Sequence, residues 1–199
     1  MSTSEPERDL PVVITPLRLD DLDEVMKIER ASFPLPWPAS AYRHELTRNP
    51  HGYYLALRPR LSLQRHARLP PLLGYGGFWL FLDEAHICTI AIHPDYRRRG
   101  LGEWLLLHLM ELAREVGADV ATLEVREGNL AAQRLYRRTG FRQVGVRHRY
   151  YSDSGEDALI MTTPSLTSPE MRRLLAARRQ AVAERLRAWD EELARMQPR

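Results

Sequence analysis

Residues 86–110, HICTIAIHPDYRRRGLGEWLLLHLM, constrain the fold more than any other part of the chain. The nearly continuous apolar run HICTIAIHP reads as a strand covered on both faces. It runs into Arg97-Arg98-Arg99-Gly100-Leu101-Gly102 and then into EWLLLHLMELAREVG. There Leu105, Leu106, Leu109, Leu112, Ala113 and Val116 recur at helical spacing before a stop at Gly117. Gly100 and Gly102 let the backbone approach a ligand closely. The first helical turn adds unpaired N–H groups at the positive end of its dipole. This strand–turn–helix is an anion site, and the three arginines beside it can reach further phosphates. It has neither the Gly-Lys-Ser/Thr of a Walker loop nor the GxGxxG of a dinucleotide fold.

The flanking segments extend the same alternation. VVITPLR (12–18) reads as a first strand. DLDEVMKIERASF follows as a helix capped by Asp20 or Asp21, with Leu22, Val25, Met26 and Ile28 on one face. FPLPWP (33–38) is a rigid non-helical connector, because each proline restricts its predecessor. Ser40 opens a short helix. YYLAL (53–57) and LLGYGGFWLFL (72–82) form a hairpin around a long basic loop at 58–68, which carries Arg58, Arg60, Arg65, His66 and Arg68. ADVATLEVRE is a strand with Thr122, Glu124 and Arg126 on one face, and Asn129 caps NLAAQRLYRRTG. A final hairpin joins FRQVGVRHRYY to ALIMTTP. The fold class is α/β, with an N-terminus at 1–11, one domain over 12–163 and a C-terminal helical segment over 164–199.

Charge and composition narrow the function. Net charge is +3, and from Thr163 onward there are eight Arg against five acids, so the tail carries the whole excess. That is a weak attractor for nucleic acid, and no DNA partner is expected. No apolar run approaches the ~20 residues of a membrane span, and the polar start lacks signal-peptide character, so a cytoplasmic protein is expected. The single cysteine, Cys88, forbids an internal disulfide and reads as inert packing. The histidines lack HExxH spacing, and no metal is expected. In the tail, Ser168 caps and Pro169 starts a helix. Its Val182, Leu186, Trp189, Leu193 and Met196 form one stripe. That stripe suits either docking on its own domain or a homodimer or partner contact through 168–197, and removing 168–199 should leave the chemistry intact.

FPLPWP, TIAIHPDYRRRGLG, LEVREGNLAAQRLYRRTGF and RYYSDSGEDALIM together resemble the GNAT N-acetyltransferases. The closest resemblance is to the branch that acetylates the N-terminal alanine of ribosomal protein bS18. The resemblance spans residues 12–163 and implies a mixed, mostly antiparallel twisted sheet flanked by helices; the C-terminal helix is an extension to it. It implies acetyl-CoA as cosubstrate, with Ile90, Ala91 and Ile92 pairing their backbone with the pantetheine arm. The residues Arg97, Arg98, Arg99, Gly100, Leu101, Gly102 and Glu103 would hold the pyrophosphate, and Asn129 would contact the coenzyme. Glu124 matches the proposed general base and Tyr136 the general acid, while Trp37, Tyr150 and Tyr151 would wall the acceptor groove. A basic Ala-Arg N-terminus calls for acids there, which Glu124, Asp153, Glu156 and Asp157 would supply.

The chemistry agrees with those roles. An α-amino group has a pKa of ~7.7–8.0, so modest help from a carboxylate, directly or through one water, yields the attacking neutral amine. A thiolate leaving group, pKa ~8.5 in the cysteine reference, is eased by a phenol that donates a proton. A backbone N–H near Ile92 would steady the oxyanion. Plainer readings stand beside these: Glu124 pairing with Arg126, Tyr136 as a core aromatic, Asn129 as a cap only, Trp37 packing the first two helices, and His93 as turn polarity. Other protein N-termini or small amines are alternative acceptors, and a non-catalytic acyl-CoA or partner-binding module is the alternative to an enzyme.

Overall fold

Successive side chains of a strand point to opposite faces, so the strands here need apolar cover on both sides. The structure, a computed structural model, describes residues 9–61, 63 and 69–195. The strands are β1 (Val12–Pro16), β2 (Gly52–Pro59), β3 (Gly74–Phe81), β4 (Glu84–Ile92), β5 (Val120–Arg126), β6 (Arg142–Tyr151) and β7 (Glu156–Thr162). They form one sheet in the order β1-β2-β3-β4-β5-β7-β6. The pair β4–β5 is parallel and every other neighbouring pair is antiparallel. Helices α1 (Leu22–Ser32) and α2 (Ala39–Arg48) cover one face, with a core of Val25, Ile28, Tyr42, Tyr54 and Tyr75. Helices α3 (Leu101–Glu115), α4 (Leu130–Arg138) and α5 (Pro169–Arg195) belong to the other, larger core, which holds Phe78, Trp104, Leu109, Leu123, Tyr136 and Phe141.

The expected elements are present, with shifts at their ends. Asp21 is the N-cap residue of α1, but its carboxylate accepts from the Arg18 N–H at 2.8 Å and from Arg58 at 2.5 Å instead of from the helix. Arg58, a cation of the basic loop, is therefore spent on the domain; Arg65, His66 and Arg68 lie outside the described residues. Helix α2 starts at Ala39 after Pro38, one residue before the Ser40 expected to open it.

The C-terminal segment takes the first of its two expected forms, a helix docked on its own domain. Helix α5 is capped by Ser168, whose hydroxyl accepts from the Met171 N–H at 3.2 Å. Its stripe of Val182, Leu186 and Trp189 is buried in the main core together with Met171, Leu175 and Ala183. The apolar face is thus covered by the chain's own domain and not left for a partner. The boundary expected at 163–164 divides no core, and Met196 lies outside the described residues.

Candidate active site

Two features of β4 open the sheet at its centre. Gly77 pairs with Thr89 and Phe78 with Ile87, so Cys88 is the extra residue of a β-bulge. The parallel ladder to β5 covers Glu84–His86 against Val120–Thr122 and has no further rung among the described residues. Beyond it Ile87–Ile92 stay paired with β3, while Thr122–Arg126 turn to β7. A bulged strand bends, and here β4 and β5 diverge into a wedge. Among the described residues no β5 rung reaches Ile90–Ile92, the segment expected to pair with the pantetheine arm.

The Arg97–Glu103 turn stands at the end of the same strand. Gly100 is the N-cap of α3 with φ +89°, a left-handed conformation suited to glycine, and no side chain caps this end. Arg98 also has positive φ, +65°. A β-carbon on Gly102 would stand in ordinary contact with Ile92 at 3.5 Å and Leu135 at 3.8 Å, so this side of the turn faces the end of β4 and α4. These uncapped amides fit a diphosphate with a pantetheine arm running along β4.

The three arginines divide. Arg97 donates to the Ile92 carbonyl at 3.0 Å and to Ser32 Oγ at 2.8 Å, so its guanidinium ties β4 to α1. Arg99 lies 5.5 Å over the Trp189 ring of α5. Arg98 is exposed. Asn129 caps α4, accepting from the Ala132 N–H at 3.1 Å, which leaves its amide N–H groups free for a ligand.

Glu124 and Tyr136 stand on opposite faces of the opened sheet. Leu123 and Val125 belong to the larger core, which places Glu124 on the α1/α2 face, two residues past the last β4–β5 rung. Its carboxylate is almost buried, with His86 Nε2 at 2.9 Å and Arg147 Nε at 3.1 Å. The His86 hydrogen bond, outweighing burial and aided by the Arg147 charge, holds its pKa below the ordinary carboxylate value. Tyr136 lies in the larger core against Phe141. Burial and the neighbouring Tyr151 push its pKa up, keeping the phenol protonated. Tyr151 is pushed up to about 12, chiefly by burial, and also feels Glu124. Electrostatically, therefore, Tyr151 touches both candidate catalytic groups.

The other residues singled out by sequence divide between correction and agreement. Glu124 does not pair with Arg126, which binds Asp153 at 2.8 Å and Glu156 at 3.2 Å and lies 3.8 Å over the Tyr151 ring. Asp157 is held by His148 and by the Arg149 N–H. These three acids hold the β6–β7 hairpin, with one guanidinium shared between Asp153 and Glu156. Trp37 packs 5.6 Å from Tyr42 and 6.3 Å from Trp79 as part of the α1/α2 core, while Tyr150 is exposed beside Arg147. His93 accepts from the Asp95 N–H at 3.4 Å and so shapes the turn. Burial pushes the Cys88 thiol up to about 12, which leaves no thiolate nucleophile at neutral pH.

Two groups escaped sequence reasoning. His86 becomes visible only through the β4–β5 register. Glu29, 1% exposed, receives the Tyr42 hydroxyl, which also lies 3.3 Å from Tyr75, on the same face as Glu124. Its place in the α1 periodicity was the available signal, since a glutamate stands on the apolar side.

The chain belongs to the acetyltransferase (GNAT) family, whose model matches residues 22–141. It is 43% identical over 145 residues to a Bacillus subtilis protein named as a putative ribosomal protein bS18-alanine N-acetyltransferase, covering 73% of this chain and 90% of that one. It is 39% identical over 157 residues to the N-alpha-acetyltransferase RimI of Mycobacterium tuberculosis, covering 78% and 94%. The crystal structure of the Escherichia coli bS18-alanine N-acetyltransferase superposes with a TM-score of 0.68 at 30% identity, over 80% of this chain and 97% of that one. All of these matches bear out the resemblance read from the four motifs. Among the described residues no helix is long and apolar enough to cross a membrane.

Proposed function

We propose that this protein transfers the acetyl group of acetyl-CoA to the N-terminal α-amine of ribosomal protein bS18, acting where that protein is made, in the cytoplasm. The carrying observation is the wedge between β4 and β5, with a carboxylate on one face and a protonated phenol on the other. Acetyl-CoA supplies an activated thioester from the α3/α4 side. The amides of Arg98–Glu103 bind its diphosphate, and the backbone of Ile90–Ile92 beyond the β5 ladder aligns its arm. The acceptor N-terminus enters from the α1/α2 side. There Glu124, ionised at neutral pH, takes the amine proton directly or through one water. A β4 amide near Ile92 stabilises charge on the acetyl oxygen, and Tyr136 donates its proton to the departing sulfur. Attack is direct, because the buried Cys88 thiol is no nucleophile.

Mass spectrometry of bS18 incubated with the protein and acetyl-CoA tests the reading. One added acetyl group on the N-terminal alanine is expected. Modification of other N-termini or polyamines with bS18 untouched would reassign the acceptor, and no release of CoA with any amine would leave a binding module. Tyr136→Phe should lower kcat about 10²-fold with the Kd for CoA nearly unchanged. A large loss of CoA binding in that variant would make Tyr136 a coenzyme-holding residue instead.

A further inference from the structure

Resting on that reading of the loop, we propose that helix α5 is part of the coenzyme site. In this arrangement Arg185 is a diphosphate ligand and Arg178 neutralises the acid beneath it. The helix runs along α3 and past its N-terminus: Leu175 lies beside Leu107, Arg178 reaches Glu103, Val182 and Arg185 meet the Gly100 turn, and Trp189 packs on Tyr96. A β-carbon placed on Gly100 would stand 3.3 Å from Val182, 3.4 Å from Arg185 Cδ and 3.5 Å from its Nη1. Gly102 faces the other way, toward Ile92 and Leu135. The turn therefore has α5 against Gly100 and the end of β4 with α4 against Gly102, so the helix borders the anion-binding amides.

Charge supports the same assignment. Glu103 in the first turn of α3 is 3% exposed, and its carboxylate would repel a diphosphate at the amides beside it. Arg178 offsets it, donating to Oε1 from Nε at 2.7 Å and from Nη2 at 2.5 Å. Arg138 lies 3.8 Å from Oε2, which has no hydrogen-bond partner among the described residues. Arg99, the loop arginine expected to reach phosphate, is drawn to Trp189 and Glu192 of α5. Arg185 stands at the turn instead. It is exposed and forms no hydrogen bond or ion pair with the described residues. A planar guanidinium standing beside the Gly100 turn suits a diphosphate bound at that turn.

Calorimetric titration tests this with CoA, 3′-dephospho-CoA and pantetheine. Arg185→Ala should weaken CoA and dephospho-CoA alike by about five- to tenfold, the range of one charge-assisted contact. Pantetheine affinity and the apo-protein Tm should not change. Arg173→Ala, an exposed cation nearer the start of α5, should behave as wild type. Unchanged CoA affinity in Arg185→Ala, tighter binding, or a loss confined to the 3′-phosphorylated ligand would each overturn the assignment. Failure of the wild-type protein to bind CoA would instead remove the coenzyme reading on which the assignment rests.

Discussion

A chain ended at Ser165 should lose cooperative folding or melt at least 10 °C lower, contrary to the expectation from sequence that the tail is dispensable. The side chains of Met171, Leu175, Val182, Leu186 and Trp189 are all 9% exposed or less. Each contributes about 1.5–3 kcal/mol on burial, an upper estimate that the ordering entropy of the helix partly offsets. The truncation also strips Arg178 from Glu103, leaving that carboxylate without its hydrogen-bonded partner. Losses of this size approach the whole stability of a domain, roughly 5–15 kcal/mol. Thermal and denaturant unfolding, with near-ultraviolet circular dichroism, measure the effect. Pairing the truncation with Glu103→Gln separates its two causes, since that substitution removes the stranded charge and should recover part of the loss. A truncated protein as stable as the full chain would mean that the helix is not part of the core.

How much of this was legible in the sequence depended on whether a residue acts through its neighbours in the chain or through distant ones. The anion turn was readable because strand, Gly100, Gly102 and amphipathic helix are contiguous, and φ +89° at Gly100 meets the demand that only glycine meets easily. Asn129 as a cap and Ser168 as a cap were readable for the same reason. The wedge was not, because it arises from a bulge at Cys88 defined by β3 and from the register between two strands more than thirty residues apart. Side-chain alternation placed Glu124 and Arg126 on one face, which made an ion pair between them reasonable. The β6–β7 hairpin then separated them, giving Arg126 the acids Asp153 and Glu156 and giving Glu124 the cation Arg147. Likewise the stripe on α5 showed that the helix needs cover but not what covers it. Only the fold shows that the covering surface borders the coenzyme turn.

Glu124→Gln should lower kcat/KM by about 10²–10⁴-fold, the usual range for a positioned proton acceptor. Its pH dependence is the sharper test. With its pKa held below the ordinary carboxylate value of 4.5, Glu124 is ionised across the neutral range, so it does not set the acidic limb of the wild-type profile. That limb follows the acceptor amine, pKa about 7.7–8.0, which is mostly protonated at pH 6.5 and mostly free at pH 9. The deficit of the variant should therefore be widest at pH 6.5 and shrink toward pH 9, where no proton need be removed before attack. A depressed folded-state pKa also means that the carboxylate contributes stability above about pH 4.5 and loses it as pH falls through the lower folded value. The variant should accordingly be less stable than wild type at pH 7, with the gap closing in acid. Both trends come from one carboxylate, but only the kinetic one requires proton transfer. A deficit of equal size at pH 6.5 and pH 9, beside the same stability gap, would show that Glu124 serves only to hold His86 and Arg147 in place.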